Sequence, residues 1–210
     1  MNQPSTDIEQ QVERGISILR RGGIVAFPTD TVYGLGASIR LPRAVERVYE
    51  VKRRPRDMAL PVLLADASQL PEVAESIPAV AWRLIHRFLP GALTIVLPKA
   101  KSVPDIVAAG GTTIAIRIPN HPITLALIRG LGAGLVGTSA NVSGQPSPLT
   151  ASEALCQLGD EVDLIIDGGP CPGGRESTVV DVTTERPVVL RQGAVSIEEL
   201  EEVCGPILVR

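Results

Sequence analysis

Lys52-Arg53-Arg54-Pro55-Arg56 places four cations within five consecutive positions. Like charges this close repel one another. They are tolerated only where they are solvated, paired or matched to an anion. Arginine brings a rigid fork of donors for phosphate or carboxylate, and lysine adds a mobile point charge. The run therefore reads either as a solvated basic patch or as a phosphate clamp. A second polar set, Pro28-Thr29-Asp30-Thr31-Val32-Tyr33-Gly34-Leu35-Gly36, puts two threonine hydroxyls and a carboxylate just beyond an apolar run. A third, Thr138-Ser139-Ala140-Asn141-Val142-Ser143-Gly144-Gln145-Pro146-Ser147-Pro148, offers hydroxyls, an amide and glycine beside another apolar run. Small side chains of this kind let backbone donors approach an anion. Arg117 lies inside the apolar stretch Thr113 to Ile118, flanked by Ile116 and Ile118. If buried it needs an anionic partner, either an internal Asp or Glu or a substrate carboxylate. Gly173 to Thr178 and Leu190 to Gly193 add two polar turns. No Ser/His/Asp set and no paired carboxylic acids stand out. Such a collection works by positioning reactants and neutralising charge, as nucleotidyl transfer requires.

Several function classes are set aside. Gly132-Ala-Gly134-Leu-Val-Gly137 satisfies GxGxxG. It follows a helical pattern and runs into a strand-like segment, the reverse of a dinucleotide fingerprint. No GxxxxGK[ST] loop is present. Cys156, Cys171 and Cys204 form no CxxC pair, and His86 and His121 lack a metal spacing. No protein-held metal is expected. Aromatics make up 2% of the 210 residues, too few for a base-stacking surface. The net charge of −3 gives no general attraction for nucleic acid. No apolar run approaches the roughly 20 residues of a membrane span, and the polar start from Met1 to Arg14 is unlike a targeting signal. A cytoplasmic location without membrane contact is expected.

The elements that must hold these residues alternate. Thr6 to Glu9 reads as a capping box before a helix carrying Ile8, Val12, Ile16 and Leu19. Further helices are expected over Leu41–Lys52, Asp66–Ser76, Ala79–Phe88, Pro122–Arg129, Thr150–Leu158 and Ile197–Val203. Strands are expected over Ile24–Phe27, Leu60–Leu64, Leu93–Leu97, Thr113–Ile118, Leu135–Thr138, Leu164–Ile166, Thr178–Val182 and Val188–Leu190. Hydrophobic residues at 44%, mostly aliphatic, suit strands buried on both faces. The order indicates an α/β fold: a twisted mixed sheet with flanking helices, in one domain over 1–210 with its core at about 8–204.

The chain resembles the YrdC family, the L-threonylcarbamoyladenylate synthases, from about Gly15 to Gly193. The landmarks stand in order: Pro28 to Gly36, Lys52 to Pro55, Leu89 to Thr94, Ile114 to Pro119, Ser139-Ala-Asn141, Ser147-Pro148, Glu176 to Thr178 and Leu190 to Gly193. The resemblance implies a concave, positively lined cavity. It implies formation of threonylcarbamoyl-AMP and pyrophosphate from L-threonine, bicarbonate and ATP. Mg²⁺ is expected with ATP, bound mainly through the phosphates. A downstream tRNA threonylcarbamoyl transferase complex would take the product into the tRNA threonylcarbamoyladenosine modification. Lys52 and Arg54 match the KxR pair expected to hold ATP phosphates and support catalysis. Ser139 and Asn141 match the SxN pair facing the nucleotide, joined by Thr113, Ser147 and Arg191. Thr31, Arg117, Gly137 and Ser177 match threonine-binding positions, Arg117 taking the carboxylate. One departure stands out: Ala59-Leu-Pro-Val-Leu63 carries Leu63 where many relatives have a histidine. The chain looks like the short, single-domain form. The alternative is a double-stranded RNA or tRNA-binding module without adenylate synthesis. A YrdC-like domain of a hydrogenase-maturation carbamoyltransferase is a third reading, and it normally sits in a much longer chain with zinc fingers.

Overall fold

The computed structural model describes residues 4–210, with side chains from Asp7 onward. The chain begins α1 (Pro4–Arg20), β1 (Val25–Phe27), β2 (Gly34–Gly36), α2 (Pro42–Lys52), β3 (Val62–Leu63) and α3 (Leu70–Val73). It continues α4 (Ala79–Phe88), β4 (Leu93–Pro98), β5 (Thr113–Arg117), α5 (Pro122–Leu131), β6 (Leu135–Val136) and β7 (Thr138–Ser139). It closes with α6 (Ala151–Leu158), β8 (Leu164–Ile165), β9 (Thr178–Asp181), β10 (Val188–Arg191), α7 (Ile197–Cys204) and β11 (Leu208–Val209).

The expected mixed sheet is two sheets. The smaller has the order β7-β2-β1-β8, and the larger β11-β10-β9-β4-β5-β3-β6. Parallel pairs (β3/β5, β4/β9, β10/β11) alternate with antiparallel ones across the larger sheet, and the smaller has two antiparallel pairs and one parallel pair, β1/β8. The main core combines Tyr33, just before β2, and Leu35 of the small sheet with Leu93, Ile95, Ile116 and Val180 from the large one. A second cluster packs Val12 and Leu19 of α1 and Leu127 and Ile128 of α5 against Val25 and Phe27. Among the described residues no helix is long and apolar enough to cross a membrane.

Several expected elements differ, each for a local reason. The single strand over Leu135–Thr138 breaks at Gly137, where the chain leaves the large sheet and joins the small one. The strand over Leu60–Leu64 shrinks to Val62–Leu63, since Pro61 has no N–H to give the ladder. The helix over Asp66–Ser76 splits: Asp66 caps a 3₁₀ turn by accepting from the Ser68 N–H at 2.8 Å, and α3 starts afresh around Pro71. The cap expected at Thr6 lies outside the described side chains, and α1 begins at Pro4. β2 was not anticipated. Gly34 makes it possible, because a Cβ there would stand 2.7 Å from the Phe27 ring.

Candidate active site

The loop after β1, the C-terminal end of α2, the ends of β3 and β5, and the segment after β7 converge on a cavity of 590 Å³. The turns before β9 and at the end of β10 close its remaining side. Ligand crevices at strand ends are the rule in α/β sheets. Here the two sheets meet at Gly137, whose N–H donates to the Pro61 carbonyl at 2.9 Å.

Arg117 ends β5 with its side chain buried. Its Nη2 pairs with Asp30 Oδ1 at 2.6 Å, Nη1 donates to Thr31 Oγ1 at 2.9 Å, and Nε donates to the Gly91 carbonyl at 2.9 Å. Asp30 is thus the internal anionic partner left open by the sequence. Its Oδ1 also accepts from the Asn120 N–H at 3.1 Å. Burial pushes the guanidinium below its usual value, and Asp30 opposes that. A guanidinium has five N–H donors. The three bonds leave two N–H groups uncommitted. The Thr31 hydroxyl is also oriented. Thr29 Oγ1 donates to the Val32 carbonyl at 2.6 Å, so in the 3.0 Å contact between the two hydroxyls Thr31 is the donor.

The basic run divides. Lys52, at the end of α2, is 1% exposed. Its Nζ donates to the carbonyls of Ser139 and Asn141, the latter at 2.6 Å, and to Asn141 Oδ1 at 3.2 Å. Burial, with the neighbouring Arg54 charge, brings this ammonium down to about 7, against the favourable field of Glu176. Arg53 takes the left-handed C-cap position at φ 50° and lines the rim. Arg54 donates from Nε to the Met58 carbonyl at 3.0 Å and from Nη2 to that of Ala59 at 2.8 Å. Three of its N–H groups stay uncommitted. Burial, and the cationic Arg191 beyond it, hold Arg54 below the usual arginine range. Arg56 lies outside the cavity, paired with Glu46 and Glu50 and stacked over Tyr49.

The opposite wall is built on Glu176, which pairs with Arg191 Nη1 and accepts from Ser147 Oγ at 2.6 Å. Arg191 Nη2 donates to the Ser177 carbonyl at 2.9 Å. Ser177 Oγ meets Thr94 Oγ1 at 2.8 Å. Behind them Thr178 Oγ1 donates to the Val195 carbonyl at 2.6 Å and accepts from the Gly193 and Val195 N–H groups. That hydroxyl fixes the turn carrying Arg191.

Nine expected positions therefore share one cavity: Thr31, Lys52, Arg54, Arg117, Gly137, Ser139, Asn141, Ser177 and Arg191. Two do not line it. Ser147 stands behind Glu176. Thr113 begins β5, four residues from Arg117, or about 13 Å along an extended strand. Sequence reasoning missed Thr94 and Glu176. Their signal was a lone hydroxyl in an apolar strand and a carboxylate beside Arg175 in a polar turn. Leu63 also lines the cavity, pressed so closely on Gly137 that a Cβ at 137 would collide with it. An aliphatic wall stands where a histidine was looked for. Among the described residues no group of three His, Cys, Asp or Glu side chains could hold a metal.

The sequence profile of the Sua5/YciO/YrdC family, described as telomere recombination, matches residues 17–193. A threonylcarbamoyl-AMP synthase of Bacillus subtilis is 45% identical over 96% of this chain, which spans 58% of that protein's length. A putative threonylcarbamoyl-AMP synthase of Mycobacterium tuberculosis is 40% identical, over 93% of this chain and 92% of its own. The crystal structure of Pyrococcus abyssi Sua5 complexed with L-threonine is 42% identical and superposes with a TM-score of 0.94, over 96% of this chain and 59% of that one. With the profile covering most of its length and the fold shared so closely, the chain belongs to the Sua5/YciO/YrdC family.

Proposed function

We propose that this chain makes threonylcarbamoyl-AMP and pyrophosphate from L-threonine, bicarbonate and ATP. What supports this reading is a single cavity lined by Arg54, Arg117 and Arg191, with Thr31 and Ser177 on the same walls. Threonine sits with its carboxylate on the two free N–H groups of Arg117 and its body between Thr31 and Ser177. Its methyl rests on Leu63 and Gly137. Its amine and bicarbonate condense to a carbamate with loss of water. A carbamate oxygen attacks the α-phosphorus of ATP, and the bond to the β-phosphate oxygen breaks as pyrophosphate leaves. Arg54 and Arg191 neutralise the charge that gathers on the departing group. Mg²⁺ accompanying ATP would be held mainly by the phosphates rather than by protein side chains, and would supply further charge neutralisation there. The nucleotide lies along Ser139, with Ser147 and Thr113 at the edges of the same proposal. Delivery of the product to a tRNA-modifying transferase in the cytoplasm is part of the same proposal.

The test is direct. Purified protein supplied with threonine, bicarbonate and Mg·ATP is expected to release pyrophosphate and form a threonine-containing adenylate seen by mass spectrometry. Absence of both products at any threonine concentration would sink the proposal.

A further inference from the structure

We propose that Lys52 and Asn141 do not touch the nucleotide: they form a buried tie that positions residues 139–145 for it. This rests on the nucleotide reading of the cavity. The donors are already spent. Lysine has three N–H groups when charged and two when neutral, and in either state Lys52 faces three acceptors: the Ser139 and Asn141 carbonyls and Asn141 Oδ1. The Asn141 amide has two N–H groups, and Nδ2 donates to the Val142 carbonyl at 3.0 Å and the Gln145 carbonyl at 2.6 Å. The main chain joins in, for the Ser143 N–H donates to the Lys52 carbonyl at 2.8 Å. Residue 52 thus grips the segment through both its backbone and its side chain.

A phosphate could recruit this ammonium only by stripping a hydrogen bond from a buried carbonyl, which is costly when left unmade. Arg54 faces no such obstacle, with three N–H groups free. Ser139 is half-buried on the cavity wall, and only its carbonyl is engaged by Lys52. The two basic and two polar positions of the motif therefore divide: Arg54 and Ser139 meet ligand, while Lys52 and Asn141 hold Ser139 in place.

Binding of adenosine, AMP and ATP separates a positioning residue from a phosphate contact. Calorimetry on the wild type, Lys52→Met, Asn141→Ala and the double variant is expected to show each single change weakening all three ligands by a similar factor, about tenfold. The double variant is expected to be no weaker than the worse single one, because the two residues act as a unit. A loss for ATP at least about tenfold larger than for adenosine would overturn the proposal. Amide exchange in the ligand-free variants should rise across 139–145, and unchanged protection there would also overturn it. Wild-type protein that binds none of the three ligands would instead remove the nucleotide reading, with the exchange result still deciding the tie. Should Lys52→Met not fold, the wild type gives its own check. Lys52, Lys99 and Lys101 are its lysines, so the buried ammonium can be followed by ¹⁵N resonance. Its shift should hold when tripolyphosphate is added; direct contact would move it.

Discussion

Arg117 and Lys52 are both cations buried in one cavity, yet the structure spends them differently. Arg117 keeps two N–H donors uncommitted while Asp30 pairs with it. Arg117→Lys would keep the charge and lose the fork. It should raise KM for threonine about a hundredfold while leaving ATP affinity near the wild type, as steady-state kinetics with each substrate varied would read. Lys52 gives a pH signature instead. Its folded value is about 7, against about 10.4 in an unfolded chain. Between those values the unfolded chain holds a proton that the folded protein has released, so stability rises with pH. Below pH 7 both states hold it and the slope disappears. Denaturant unfolding should show a slope approaching about 1.4 kcal/mol per pH unit above neutrality. Lys52→Met should flatten that slope, and an unchanged one would contradict the assignment. Sequence could locate these residues but not their pairing. Asp30 lies far from Arg117 along the chain, and no local pattern encodes their contact.

At the level of elements, the sequence was legible where periodicity ruled. The amphipathic stripes of α1, α2 and α4 and the apolar runs of β4 and β5 appear where expected. It was illegible where a close approach replaced a pattern. β2 reads as a polar glycine loop, but its glycines are there to clear Phe27. Gly137 looks like the middle of a strand and is a crossing between sheets. The turn after β10 is the same kind of feature. A Cβ on Gly193 would overlap the backbone of Glu176 and Ser177. The N–H groups of Gly193 and Ala194 bond Thr178 Oγ1 and the Glu176 carbonyl, both at 2.9 Å. Gly193→Ala should therefore push this turn away from β9, costing about 1–3 kcal/mol of stability. Because the turn carries Arg191, turnover should fall more than stability explains. Thermal melting and kcat measured together would show it, and an active, unshifted variant would refute the packing argument.

The molecule as a whole carries a net charge of −3, although its cavity gathers Arg53, Arg54, Arg117 and Arg191 around one lining carboxylate, Glu176. The acids lie elsewhere, with Glu198, Glu199, Glu201 and Glu202 on α7. A recess of this kind has room for a small anion, whereas a duplex needs an extended cationic surface. The contest between a nucleotide enzyme and a duplex-RNA module is thus decided by the size of the anion that binds. Ligand that binds only the folded state stabilises by mass action, about 2.7 kcal/mol at about a hundred times Kd. For a chain of this length that raises Tm by roughly 5–10 °C. Mg·ATP should produce such a shift, and duplex RNA at about 0.15 M salt should produce none. An RNA-dependent rise that collapses steeply with added salt, together with no response to ATP, would reverse the assignment.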